Sequence, residues 1–139
     1  MANTIHVDIV SAEGQIFSGE ATRVFAPGTL GELGIYPRHA PLLTTLAAGE
    51  VRVETEGHEE QSFFVGGGAM EIQPHLVTVL ADTAVRAKDL DEAAALAAKQ
   101  RAEDAVRNRS DKLDIAEAQS ELVRALAQLR AIARLRRKR

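Results

Sequence analysis

From Ala87 to Arg139 the chain contains no glycine and no proline, whereas all ten glycines and all four prolines lie at or before residue 74. Relative to alanine, a helix interior loses about 1 kcal/mol for each glycine and about 3 kcal/mol for each proline. The first part is therefore punctuated by turns, and the second is free to run as uninterrupted helix. A chain divided in this way folds as two segments under different local rules.

The first segment reads as strands. Ile5, Val7 and Ile9 alternate with His6 and Asp8, a period of two that sends one face to a core and the other to water. Residues 4–10, 22–26, 42–46, 51–55, 61–65, 69–73 and 76–81 form such runs, separated by turn signals at Pro27-Gly28, Ala48-Gly49, Glu56-Gly57 and Pro74-His75. Many short strands at this spacing predict a flattened β-sandwich or barrel over residues 1–86.

Residues 87–139 predict an antiparallel two-helix hairpin. Asp89 is the expected N-cap, with Glu92 three residues on as in a capping box, and the first helix is expected over residues 90–107. Asn108, Arg109 and Ser110 form a short connection, which makes the helices antiparallel neighbours. Ser110 or Asp111 caps a second helix that runs towards Arg137. Ile115, Leu122, Leu126, Leu129 and Ala133 form its apolar stripe, facing Leu90, Ala94, Ala97, Arg101 and Ala105. Alanine faces approach closely but bury little: about 0.8 kcal/mol for a methylene-sized group, against roughly 1.5–3 kcal/mol for a buried leucine. A hairpin of this kind is easily formed and weakly held.

Charge divides at the same place. Residues 1–86 hold 4 Lys+Arg and 11 Asp+Glu, a balance of −7, and residues 87–139 hold 13 and 9, a balance of +4. The absence of cysteine removes disulfides, thiolate metal sites and a cysteine nucleophile, and fits a reducing compartment. With no Trp and one Tyr, stacking on nucleic-acid bases is poorly supported. Met1 to His6 lacks a basic leader and an apolar stretch, so no secretory signal is expected. No apolar run approaches the length of a membrane span.

The candidate chemistry is sparse. Gly66-Gly67-Gly68 invites a phosphate-loop reading, but Ala69-Met70-Glu71-Ile72 alternates like a strand where a helix with Lys and Ser/Thr would be needed. A bulge where two backbones pass closely is the better expectation. His6, His58 and His75 read as solvated, and His39, between Pro37 and Pro41, as a packing or interface residue; no two share zinc-ligand spacing. Glu59 and Glu60 are adjacent on an extended segment and point apart. No coherent set of nucleophile, base and oxyanion donors is present, which argues against an enzyme. Arg134-Leu135-Arg136-Arg137-Lys138-Arg139 is either a solvated helix end or a docking surface for an acidic protein, a nucleic acid or anionic lipid. The alternative to a protein-docking function is a nucleic-acid-binding module with a basic helical tail, against which the acidic first segment and the lack of aromatics weigh.

Specific motifs resolve these options. The stretch from Gly31 to Thr44, GELGIYPRHAPLLT, resembles the signature loop of the epsilon subunits of bacterial F-type ATP synthases. Val65 to Ile72 and Val77 to Ala84 resemble the family's second and third signatures. Val7 to Glu13 fits its opening, and Leu90-Asp91-Glu92-Ala93 fits the start of its helical part. The resemblance runs in order along nearly the whole chain. It implies a non-catalytic rotor subunit of a proton-translocating ATP synthase, without cofactor or metal, peripheral on the cytoplasmic face of the inner membrane and not inserted in it. The β-sandwich of such subunits binds gamma and sits on the ring of c subunits. The helices extend among the alpha and beta subunits of the catalytic hexamer and block hydrolysis.

By residue, the resemblance assigns the ring-facing loop to Gly31, Glu32 and Leu33, and places Ser11, His39 and Thr44 towards gamma. Arg38 stands at a variable position and receives no role. Arg124, Arg130, Arg134, Arg136, Arg137, Lys138 and Arg139 would meet an acidic loop of the beta subunits. Some members bind ATP in the hairpin through Leu/Ile-Asp-x-x-Arg-Ala and arginines on the second helix. Here Asp91 and Arg124 are retained, but Ala94 stands in place of the arginine and Gln128 where a second helix-two arginine would help. Alanine cannot make the paired hydrogen bonds that a guanidinium offers phosphate, so weak or absent ATP binding is expected.

Overall fold

A computed structural model of the chain describes residues 3–57, 60–108 and 112–137, with side chains left undescribed at 112–114. Two compact units meet between Ala87 and Lys88. The first is an eight-stranded β-sandwich: β1 (Ile5–Ser11), β2 (Gly14–Ala21), β3 (Arg23–Gly28), β4 (Gly31–Ile35), β5 (Leu42–Glu54), β6 (Gln61–Gln73), β7 (Leu76–Ala81) and β8 (Ala84–Arg86). Hydrogen bonding follows the order β2-β1-β7-β6-β5-β3-β4, and β8 pairs with β6. Both ends of this path are open, so the unit is a sandwich and not a closed barrel. All strand pairs are antiparallel except β1 with β7.

Two long strands make the layers. Leu42 to Leu46 of β5 pairs with Ile72 to Gly68 of β6, and Ala48 to Val53 pairs with Gly66 to Gln61. On its other side β6 pairs with β8 through Phe63–Val65 and with β7 through Gly68–Gln73. Each long strand therefore bends once and serves both layers. The expectation of four separate strands here is corrected: Ala48-Gly49 is not a turn, and the glycine run lies within β6. Gly67 and Gly68 have φ of 113° and 139°, left-handed backbone that glycine alone adopts freely. A Cβ on Gly68 would lie 2.1 Å from the Leu80 carbonyl oxygen. The triplet is thus a site of close backbone approach, as the alternation after it indicated.

Alternation fills the core. Ile5, Val7 and Ile9 are fully buried, with Val24, Val51, Val53, Phe63, Val65, Met70, Ile72, Val77 and Val79 drawn from the other strands. Each such side chain contributes roughly 1.5–3 kcal/mol of burial. Phe17 packs against Phe63 with ring centroids 5.3 Å apart, which anchors the edge strand β2. β2, β4 and β8 are strands that sequence patterning did not anticipate.

The second unit opens with a 3-10 turn, Ala87–Asp89, followed by α1 (Glu92–Asn108) and α2 (Lys112–Arg137). The cap is Asp91 and not Asp89: the Asp91 carboxylate accepts the Ala94 N–H at 3.3 Å, and its carbonyl accepts the Ala95 N–H at 3.0 Å. Asp89 is used up in the 3-10 turn, and Glu92 is the first helical residue, so no capping box forms. The expected connection at Arg109 and Ser110, and a cap at Ser110 or Asp111, lie outside the described residues.

α1 and α2 pack on each other along a different face from the one expected. Ala95 and Ala102 of α1 are buried, as are Ala118, Ala125 and Ile132 of α2. Ala95 with Ala102, and Ala118 with Ala125 and Ile132, recur every seven residues, the spacing of a helix–helix seam; Ala127 and Ala131 of α2 are buried off that spacing. Leu126, Ala133, Ala94, Ala97 and Arg101 are exposed, while Ile115, Leu122, Leu129 and Ala105 are only half-buried.

Candidate functional site

The residues expected to face the ring do not form a loop. The turn is Thr29-Leu30, and Gly31, Glu32 and Leu33 open β4, paired with Gly28, Pro27 and Ala26. Gly31, at φ 135°, closes the mouth of this hairpin. Leu30 stands at the tip, fully exposed, and sequence reasoning passed over it. Glu32 projects outward and pairs with Arg52, whose guanidinium lies 4.6 Å over the Phe25 ring. Leu33 turns inward and packs on the core. The tip thus offers one bare leucine beside a carboxylate held in place by a stacked arginine.

Ser11, His39 and Thr44 are not brought together. Ser11 ends β1, where its hydroxyl donates weakly to the Gly14 carbonyl at 3.4 Å. His39 lies at the opposite end of that layer, in the turn Tyr36-Pro37-Arg38-His39. This turn is closed by the His39 N–H on the Tyr36 carbonyl at 3.2 Å and tied to the β6–β7 turn by the Arg38 N–H on Pro74 at 2.9 Å. Arg38 takes φ 66°, the position a type II turn usually gives to glycine. The His39 Nδ1 contacts the Ala40 carbonyl at 2.7 Å. Ser11 and Thr44 are half-buried, on the inward parity of their strands. Leu43, 71% exposed, and Leu80, 55% exposed, point the other way. Both leucines lie on one sheet face; they were passed over because each strand also has a convincing inward set.

The basic residues of α2 have distinct settings. Arg124, Arg130 and Arg137 are exposed. Arg134 is half-buried and engaged. Arg136 reaches back to Glu92 at the start of α1, donating through both terminal nitrogens to both carboxylate oxygens. Lys138 and Arg139 lie outside the described residues. Arg101 and Arg124 border one pocket with Ala98, Glu121, Ala125 and Gln128. Asp91 is occupied as a cap, and Ala94 is exposed.

His6, expected to be solvated, is instead held on both sides. Its Nδ1 lies 2.8 Å from Glu20, and its Nε2 lies 3.0 Å from Asp8 and 3.2 Å from Ser18. Ser18 in turn donates to Asp8 at 2.7 Å. The hydrogen bond to Glu20 is the largest influence and raises the His6 pKa; partial burial opposes it next, and the hydrogen bond and charge of Asp8 add to the rise. The Ser18 hydroxyl, then His6, lower that of Asp8. Protonated His6 therefore stabilises the β1–β2 pair fully below its ordinary value of about 6.5. That contribution is lost as pH rises through the raised value. The Asp8 contribution is present above its ordinary value near 3.8 and is lost as pH falls. An NMR titration should find His6 above the ordinary imidazole value and closer to it in Glu20→Gln; an unshifted His6 in the parent chain would contradict this. His75 is exposed in its turn, while His58 and Glu59 lie outside the described residues.

No helix among the described residues is long and apolar enough to cross a membrane. No cluster of metal-ligating side chains occurs among them.

A β-sandwich followed by a helical unit is the two-domain arrangement of the delta/epsilon chains of ATP synthases. The beta-sandwich domain model of the ATP synthase delta/epsilon chain matches residues 4–87, and its long alpha-helix domain model matches residues 88–136. The chain belongs to this family. It is 62% identical over 138 residues to the ATP synthase epsilon chain of Nitrosococcus oceani, covering 99% of both chains. It is 59% identical over 140 residues to that of Janthinobacterium sp. strain Marseille, covering all of both. A chain in the cryo-EM structure of the Euglena gracilis mitochondrial ATP synthase OSCP/F1/c-ring superposes with TM-score 0.85 at 18% identity, covering 94% of this chain and 82% of that one. A chain in the Tetrahymena thermophila mitochondrial central stalk and c-ring structure gives TM-score 0.68 at 12% identity, covering 92% and 96%. At these identities the two structures speak for the fold alone.

Proposed function

We propose that the chain is a non-catalytic rotor subunit of a proton-translocating ATP synthase, which joins gamma to the c-ring and restrains ATP hydrolysis through its C-terminal helices. The main support is that both units match the family in order, with relatives of high identity along the whole length. The structural relatives come from F1/c-ring and central-stalk assemblies. The geometry fits: the β3–β4 tip with Leu30 and Glu32 suits a ring surface. The layer carrying Leu43 and Leu80, with His39 at one end and Ser11 at the other, suits gamma. The basic face of α2 suits an acidic loop of the beta subunits when the hairpin is extended among alpha and beta. Attachment to the cytoplasmic face of the inner membrane would follow from these partners.

The test exploits the absence of native cysteine. Cysteine at Glu32 should crosslink to the ring subunit, and cysteine at His39 to gamma; failure of both in the assembled enzyme would refute the docking. The Arg101 and Arg124 pair lacks the arginine that Ala94 replaces, so the hairpin binds ATP weakly or not at all. Isothermal titration returning micromolar affinity would overturn that.

A further inference from the structure

We infer that the Glu92–Arg136 pair is a clasp that holds the hairpin shut and withdraws one of the tail arginines from any other partner. The register places it. The pocket bordered by Ala98 and Arg101 on α1 and by Glu121, Arg124, Ala125 and Gln128 on α2 sets the middle of the antiparallel pair. Carried towards the ends, the same register brings Ala95 opposite Ile132, and one turn further on lies Glu92 with Arg136. The clasp is therefore at the open end, away from the connection between the helices. That end is where a hairpin peels first, because nothing covalent closes it.

Three features give the pair its leverage. The seam beneath it is mostly alanine, with Ala95, Ala102, Ala118 and Ala125 buried and Ile132 the one larger side chain beside them, so modest apolar surface resists opening. Contact is bidentate, the strongest form of an arginine–carboxylate pair. Each charge also sits at the helix end that favours it, Glu92 at the amino end of α1 and Arg136 at the carboxyl end of α2. Antiparallel packing sets these two favoured charges side by side. An extended arm leaves Glu92 unpaired and frees Arg136, so the guanidinium serves the closed state or an outside partner, never both. The clasp itself rests on geometry; its effect on hydrolysis rests on the inhibitory reading above.

The test uses the full-length chain with spin labels on cysteines at Ala93 and Ala133, both exposed. The parent should give one short distance. Glu92→Gln and Arg136→Gln should each raise the ratio of open to closed molecules about two- to fivefold, the change expected from losing one exposed pair. Added salt should open the parent further. The exchange Glu92→Arg with Arg136→Glu should restore part of the closed population, which a merely destabilised helix would not do. Distance distributions identical in parent and both single variants would overturn the clasp, whatever the enzyme does. Opening of Glu92→Gln without deeper inhibition of the assembled ATPase would uphold the clasp and count against the inhibitory reading instead.

Discussion

Gly68→Ala is expected to cost the β-sandwich roughly 2–6 kcal/mol, the sum of a strained left-handed backbone and an overpacked contact. The added Cβ would fall 2.1 Å from the Leu80 carbonyl oxygen and 2.9 Å from the Ala81 Cα. Both are backbone atoms, so no rotamer change relieves the clash and β7 must move off β6. Gly14→Ala separates the two effects: φ there is 132°, but nothing lies within 4 Å of the new Cβ. It should lose only the conformational part, about 1–3 kcal/mol. Urea unfolding of the two variants measures the difference. Equal losses would mean that β7 yields easily and that the close approach carries no energetic weight.

Removing residues 134–139 is expected to release ATP hydrolysis in the assembled enzyme by at least about fivefold. Five of these six residues are basic. Exposed ion pairs contribute about 0.2–1 kcal/mol each, and a total of only about 1.4 kcal/mol is already a tenfold change in an equilibrium. The truncation has a second consequence, because it also removes Arg136 and with it the pair to Glu92. The shortened arm should open more readily yet inhibit less. Neutralising Arg137, Lys138 and Arg139 to glutamine keeps the clasp and should give a partial release. Hydrolysis rates of the reconstituted enzyme decide the matter, and a truncated arm as inhibitory as the parent would remove the electrostatic basis of the proposal.

What could be read from the sequence depended on how much contrast each segment carried. In β1 the alternation of Ile5, Val7 and Ile9 with His6 and Asp8 is unambiguous, and the strand appears where expected. β2 and β4 each carry two glycines, and each buries only one residue fully, Ala21 and Ile35, so they resemble loops until their partners are known. In β5 and β6 the glycines mark bends, which local sequence cannot tell from turns. The hairpin failed in the opposite way. With Ala93, Ala94, Ala95, Ala97 and Ala98 in succession, several faces of α1 look equally apolar, and only the partner helix selects Ala95 and Ala102. Asp89 is the expected cap because Glu92 follows it at capping-box spacing, but the 3-10 turn claims Asp89 and the cap passes to Asp91. The ties from His6 to Glu20 and from Glu92 to Arg136 span 14 and 44 residues, which only strand register or helix register brings together.

The continuity of β5 and β6 through both layers has a mechanical meaning. In many two-layer folds the sheets are joined by side-chain contacts that can slide. Here a tangential pull on one face passes along two covalent strands into the peptide ladder of the other. The layers cannot be sheared apart without breaking rows of backbone hydrogen bonds at once. A body built in this way resists shear as one block and not as two sheets.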